Sequence, residues 1–114
     1  MDSQFELIFC VVNAGFSDSV MTAVREKNPR IGGTVLNARG TAREEAEKLF
    51  NISIQPEKEI VLILVDKEEK EELLHLIYKS VGLNTPGQGI AFSLPVEEVV
   101  GLSKPEAPKE NDQS

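Results

Sequence analysis

A chain of 114 residues has the length of one domain, enough for a single core but too short to enclose a deep private active site, so a sizeable cleft calls for a second subunit. The balance of 12 basic and 19 acidic side chains, a net charge of −7, excludes broad attraction to nucleic acid or to an anionic membrane; a phosphate ligand would need locally placed donors. One cysteine, Cys10, and one histidine, His75, exclude an internal disulfide and leave too few ligands of these types for a metal site. The N-terminal MDSQFELIF has no basic n-region, and no stretch reaches the ~18 apolar residues of a spanning helix, so the sequence reads as cytoplasmic.

Taken in chain order, Phe5 to Asn13 (FELIFCVVN) is a nearly continuous apolar run, the pattern of a central strand apolar on both faces. Ser17 and Asp18 offer an N-cap to a helix whose apolar face is Val20, Met21, Ala23 and Val24, stopped near Lys27 by Asn28-Pro29. Past Gly32-Gly33, Thr34 to about Ala38 is β-prone and predicts a second strand, which Gly40 breaks. From Thr41 the residues TAREEAEKLF carry a narrow apolar stripe of Ala42, Ala46, Leu49 and Phe50, which predicts a short helix, with Ile52 to Ile54 as a brief strand. Glu59 to Val65 is the clearest buried strand. Asp66 and Glu69 have the spacing of a capping box for the next helix, whose core face is Leu73, Leu74, Ile77 and Val81 and whose stop is Gly82. Gly87-Gln88-Gly89 then leads into a fourth strand, Ile90 to Leu94, and Val99-Val100 is a second β-prone piece. Residues 1–102 make one domain, and the tail 103–114, almost without apolar residues, is expected to be disordered.

The order strand, helix, strand, strand, helix, strand predicts an α+β, ferredoxin-like βαββαβ sandwich: an antiparallel sheet with both helices on one face. Its plainest form joins the two middle strands by a tight hairpin of about 2–6 residues, whereas here Arg39 to Glu57 intervene. An insertion with its own helical pattern on a rigid scaffold points to binding; the alternative is a helix that only covers the sheet edge. Two strands apolar on both faces leave one sheet face uncovered by the helices, and self-association is the economical cover. Glycines at 87 and 89 let the backbone approach a phosphate and present N–H donors, although a lone G-x-G also simply builds a tight turn.

The run TPGQGIAFSLPVEEVVGL from Thr85 resembles the segment after the second helix of the PII signalling proteins, where a G-D-G-K turn feeds a strand with a V-x-x-V-I-R-I ending. FELIFCVVNAGFSDSVMTAV, GGTVLNARG and EIVLILVDKEE resemble the family's first strand and helix, second strand and third strand, so the resemblance spans most of Phe5 to Leu102. It implies a homotrimer that binds adenine nucleotide in clefts between subunits and projects the β2–β3 insertion, the T-loop, into a protein partner of nitrogen or carbon metabolism, with a membrane transporter as the expected target. Carried onto this chain, the ligand-binding residues are Arg39, Gly40, Thr41, Gly87, Gln88, Gly89 and Ile90, and the partner-binding loop contains Arg43, Glu44, Glu47, Lys48 and Phe50. No cofactor is required and no metal residues or catalytic residues are implied.

The departures sharpen that expectation. Ile90 stands where the family has Lys, and Gly101 and Ser103 where it has two Arg, so three cationic phosphate contacts of about 1.5–3 kcal/mol each are missing. AMP, ADP or a cyclic nucleotide therefore fits better than ATP, and Arg39, at the loop root, is the favoured replacement donor over Arg30, Arg43 and Lys104. The single tyrosine, Tyr78, falls on the second helix, which excludes uridylylation of the loop in its usual form. A small hydrolase on the same fold is the alternative function, yet Ser17, Ser19 and Cys10 have no histidine near in sequence, and the paired Glu44-Glu45 and Glu97-Glu98 read as solvated faces. RNA binding lacks exposed sheet aromatics and a basic surface, and copper-type metal binding lacks a second His or Cys.

Overall fold

The structure, a computed structural model, describes residues 4–41 and 57–102. Strand β1 (Phe5–Asn13) is followed by helix α1 (Ser17–Lys27), β2 (Thr34–Arg39), β3 (Glu57–Asp66), a 3-10 turn (Lys67–Glu69), helix α2 (Lys70–Val81) and β4 (Gly89–Val96). The four strands form one sheet in the order β2-β3-β1-β4, with every neighbouring pair antiparallel. This is the α+β ferredoxin-like arrangement expected from the element order. The predicted helix and strand within the insertion lie outside the described residues, as does the tail.

The two sheet faces have different fates, and register decides which residue goes where. Ile8, Cys10 and Val12 of β1 alternate with half-buried neighbours and stand beside Ile63, Val61 and Glu59 of β3 on the helix-covered face. Against them pack Val20 and Val24 of α1 and Leu73, Ile77 and Val81 of α2, all buried. Each large side chain so buried contributes about 1.5–3 kcal/mol, which makes this face the source of stability. On the opposite face Leu7, Phe9 and Val11 pair with Leu64, Leu62 and Ile60 of β3 and with Leu94, Phe92 and Ile90 of β4. Phe9 and Phe92 stack there with ring centroids 5.0 Å apart. Ile90 (59% exposed), Leu94 (47%) and Phe92 (39%) nevertheless remain open to solvent, so the apolar run of β1 is buried on one face only within a single chain.

Three local expectations are corrected by tertiary contacts. Asp66 and Glu69 form no capping box: neither makes a side-chain cap, the 3-10 turn separates Asp66 from α2, and Glu69 instead accepts from Asn28 Nδ2 at 3.3 and 3.4 Å. Val99-Val100 is not a strand: β4 ends at Val96, opposite Phe5 at the start of β1. Strands β2, β3 and β4 each run further than predicted because a neighbour continues to supply partners: Arg39 opposite Glu57, Asp66 opposite Phe5, Val96 opposite Phe5. Gly82 does close α2, in the left-handed conformation (φ 74°) expected of a C-terminal glycine.

Helix α1 is not capped by Ser17 or Asp18 either. Its N-cap is Phe16, which has no capping side chain, and the role passes to Glu59 on β3. One Glu59 carboxylate oxygen accepts the backbone N–H of Gly15 at 3.1 Å and of Ser17 at 3.0 Å. The Ser17 hydroxyl and these N–H groups lower the Glu59 pKa from 4.5. A carboxylate depressed in the folded state stabilises above its unfolded pKa and loses that contribution as pH falls through the folded value. Glu59→Gln should therefore melt below wild type at about pH 7, with the gap closing on acidification below 4.5. Melting curves across that range check it, and a gap independent of pH would refute the charged-cap assignment.

Candidate functional site

The ends of all four strands meet on one side of the sheet. Arg39 ends β2, Glu57 opens β3 opposite it, Lys58 stands opposite Asn13 at the end of β1, and Gly89 opens β4 opposite Val12. The root of the insertion and the glycine turn thus share an edge of the domain, although β2 and β4 are three strand spacings, or about 14 Å, apart. Within one chain β3 and β1 therefore lie between Arg39 and Ile90. Gly40 and Thr41 follow β2 directly, with Thr41 exposed. The predicted loop residues Arg43, Glu44, Glu47, Lys48 and Phe50 lie outside the described residues.

Two open basins flank this edge. The larger, ≈ 710 Å³, is lined by Ala14, Asn37, Ala38, Arg39, Glu57 and Lys58. The smaller, ≈ 250 Å³, is lined by Val11, Lys58, Gly87, Gly89 and Ile90. Lys58 borders both, and sequence reasoning missed it: the residue is one of several charges around the insertion and only the register places it between the two. Its ammonium donates to Asn13 Oδ1 at 2.7 Å. Asn13 Nδ2 in turn donates to the Gly87 carbonyl and to Gln88 Oε1, both at 3.3 Å, and Gln88 Nε2 donates to the Val81 carbonyl at 3.0 Å, at the C-terminus of α2.

The two glycines have separate reasons. Gly87 (φ 82°) turns the chain in a conformation that disfavours side chains, and a Cβ added there would meet open space. At Gly89 a Cβ would lie 2.4 Å from the Val11 carbonyl oxygen, so glycine is required for β4 to pair with β1 whatever else the turn does. Ile90 points from β4 onto the bare face and carries no charge, leaving Lys58 as the cation beside the turn among the described residues.

Among the described residues, the nucleophile candidates near this edge are not paired with a histidine base. Cys10 is buried in the core and its thiol is pushed up to about 12 by desolvation, which makes it inert. The Ser17 hydroxyl is bound to Glu59, and His75 is exposed on α2. Among the described residues no group of His, Cys, Asp and Glu could hold a metal ion, and no helix is long and apolar enough to cross a membrane.

No family model matches the sequence, and no curated protein matches it. Among solved structures the chain is similar to PII of Arabidopsis thaliana bound to citrate, with a TM-score of 0.65 and 25% identity over 83% of this chain and 79% of that one. The fold is PII-like, in agreement with the resemblance carried by the four sequence blocks.

Proposed function

We propose that this chain is a PII-like regulatory protein that binds an adenine nucleotide or a small anionic metabolite at the edge shared by Arg39–Thr41 and Gly87–Ile90. Binding there alters the insertion, which controls a protein partner, a membrane transporter being the expected target. The observation that carries the reading is the gathering of Lys58, Asn13 and the glycine turn at the root of the insertion, within a fold similar to that of a citrate-bound PII protein. A ligand that orders this edge differently in two states can shift the insertion between them, provided it binds the states unequally.

The binding unit is a homotrimer. The bare apolar face formed by β1, β3 and β4 supports association through the sheets, and the separation of Arg39 from Ile90 supports clefts in which the β2 edge of one copy faces the β4 edge of the next. The scarcity of cations at the turn among the described residues supports AMP, ADP, a cyclic nucleotide or a carboxylate over ATP. A regulatory, non-catalytic role is supported by the similarity in fold to a PII protein.

Thermal melts with AMP, ADP, ATP, cyclic nucleotides and citrate test the proposal. A ligand at a hundred times its dissociation constant should add about 2.7 kcal/mol of stability, and ATP should add less than ADP at equal concentration. Absence of any shift with the whole panel would overturn the ligand-sensing reading.

A further inference from the structure

The last turn of a helix leaves carbonyl groups without partners inside the helix. At the end of α2 the Tyr78 carbonyl accepts the backbone N–H groups of Gly82 and, at 3.0 Å, of Leu83. The Val81 carbonyl is served differently, by the side chain of Gln88, whose Nε2 donates to it at 3.0 Å. The other end of that amide is engaged too: Gln88 Oε1 accepts from Asn13 Nδ2 at 3.3 Å, and the same nitrogen donates to the Gly87 carbonyl at 3.3 Å. The orientation of both amides is dictated from the two ends of the chain of bonds. A backbone carbonyl such as that of Val81 only accepts, and the Lys58 ammonium, 2.7 Å from Asn13 Oδ1, only donates.

The turn so tied has little else to fix it. Thr85 N–H donates to the Gly82 carbonyl at 3.0 Å and Gln88 N–H to the Thr85 carbonyl at 3.1 Å, while Pro86 has no N–H to give. Gly87, at a φ of 82°, brings no side chain to pack, and glycine loses more conformational freedom on ordering than any other residue. The Gln88 amide supplies what the backbone lacks, joining the turn to the end of α2 on one side and, through Asn13, to the end of β1 on the other. Hydrogen bonds in such a chain polarise and strengthen one another. A turn ordered in advance spares its ligand the cost of ordering it.

Resting on the ligand-binding reading above, we infer that Gln88 is the positioning residue of the candidate site: its side chain clasps the 85–89 turn to α2 and β1 in the ligand-free protein, so that the turn meets its ligand preformed. The Gln88 side chain serves the ligand through the turn, with both ends of its amide already engaged inside the protein.

The test uses the full-length chain and two substitutions. Gln88→Met keeps the length of the side chain and removes both of its hydrogen bonds, whereas the carboxylate of Gln88→Glu at about pH 7 still accepts from Asn13 but cannot donate to the Val81 carbonyl. In ligand-free wild type, amide hydrogen exchange at residue 88 should be at least about tenfold slower than in an unstructured peptide. Both variants should lose most of that protection, while the core amides of Ile8 and Ile63 keep theirs. Calorimetric titration with ADP and with citrate should then show binding weakened several-fold, because only the fraction of molecules with the turn formed is competent. Exchange at residue 88 unchanged by both substitutions overturns the clasp, and a fall in affinity alongside it would mean that the side chain touches the ligand itself. Faster exchange with affinity as in wild type overturns the positioning role. If wild type binds neither probe, the ligand-binding reading fails and the positioning role with it, while the exchange rates still decide whether Gln88 holds the turn.

Discussion

Gly89→Ala is expected to destabilise the domain by about 3 kcal/mol, near the upper end of what overpacking costs, and to lower its melting temperature by on the order of 10 °C. The reason is a backbone contact. An alanine Cβ would sit 2.4 Å from the Val11 carbonyl oxygen and 3.1 Å from the Val12 Cα, and a backbone neighbour cannot swing aside as a side chain can. The φ of 149° adds strain for any residue with a Cβ. Relief would require β4 to peel from β1 at its first pair, Val12 opposite Gly89, which would also displace the turn carrying Gly87 and Gln88. Gly87→Ala is the matched control: it pays for a left-handed φ of 82° but meets no neighbour within 4 Å, so it should cost about 1 kcal/mol. Equal losses from the two substitutions, measured by denaturant unfolding, would show that the contact with β1 is not what demands glycine at 89.

Phe92→Glu is expected to abolish self-association while leaving the fold intact. Phe92 stacks on Phe9 in the middle of the uncovered sheet face, yet it stays 39% exposed, so a charge there is solvated in a single chain. In an assembly that closes this face, the same carboxylate would be buried without a partner, at a cost of several kcal/mol per copy. Each 1.4 kcal/mol is a factor of about ten in association, which is enough to dissociate an assembly held through these sheets. Light scattering should report a monomer for the variant and a trimer for wild type, with unchanged far-ultraviolet circular dichroism. Leu94→Glu, on the same face, should behave alike. A variant that keeps the wild-type mass would show that the sheets do not form the interface.

What could be read from the residues alone divides along the distance over which each feature is determined. β1, β3 and both helices are legible because their signals are local: the apolar run of FELIFCVVN, the helical spacing of Val20, Met21, Ala23 and Val24, and Gly82 as a stop. The bare face was legible too, since two strands apolar on both sides cannot both be covered by two helices. The caps were not. A carboxylate 42 residues away displaced the local Ser17 and Asp18 signals at α1, and Asn28 drew Glu69 out of its capping-box role. In the candidate site, Arg39 and the glycine turn were reachable from motif resemblance, but Lys58 and Asn13, 45 residues apart, become partners only through the β1–β3 register. The one hint in the sequence is that a largely apolar strand ends on an asparagine, in phase with Phe9 and Val11.

The central claim is that an anionic ligand binds where the insertion root meets the glycine turn. Its most direct test is a titration of ADP and of citrate into isotopically labelled protein, followed amide by amide by nuclear magnetic resonance. The account predicts saturable shifts concentrated at Asn13, Arg39 to Thr41, Lys58 and Gly87 to Ile90. Shifts concentrated instead at the opposite end of the sheet, around Asn28, Arg30 and Glu69, or no shifts with either ligand, would contradict it.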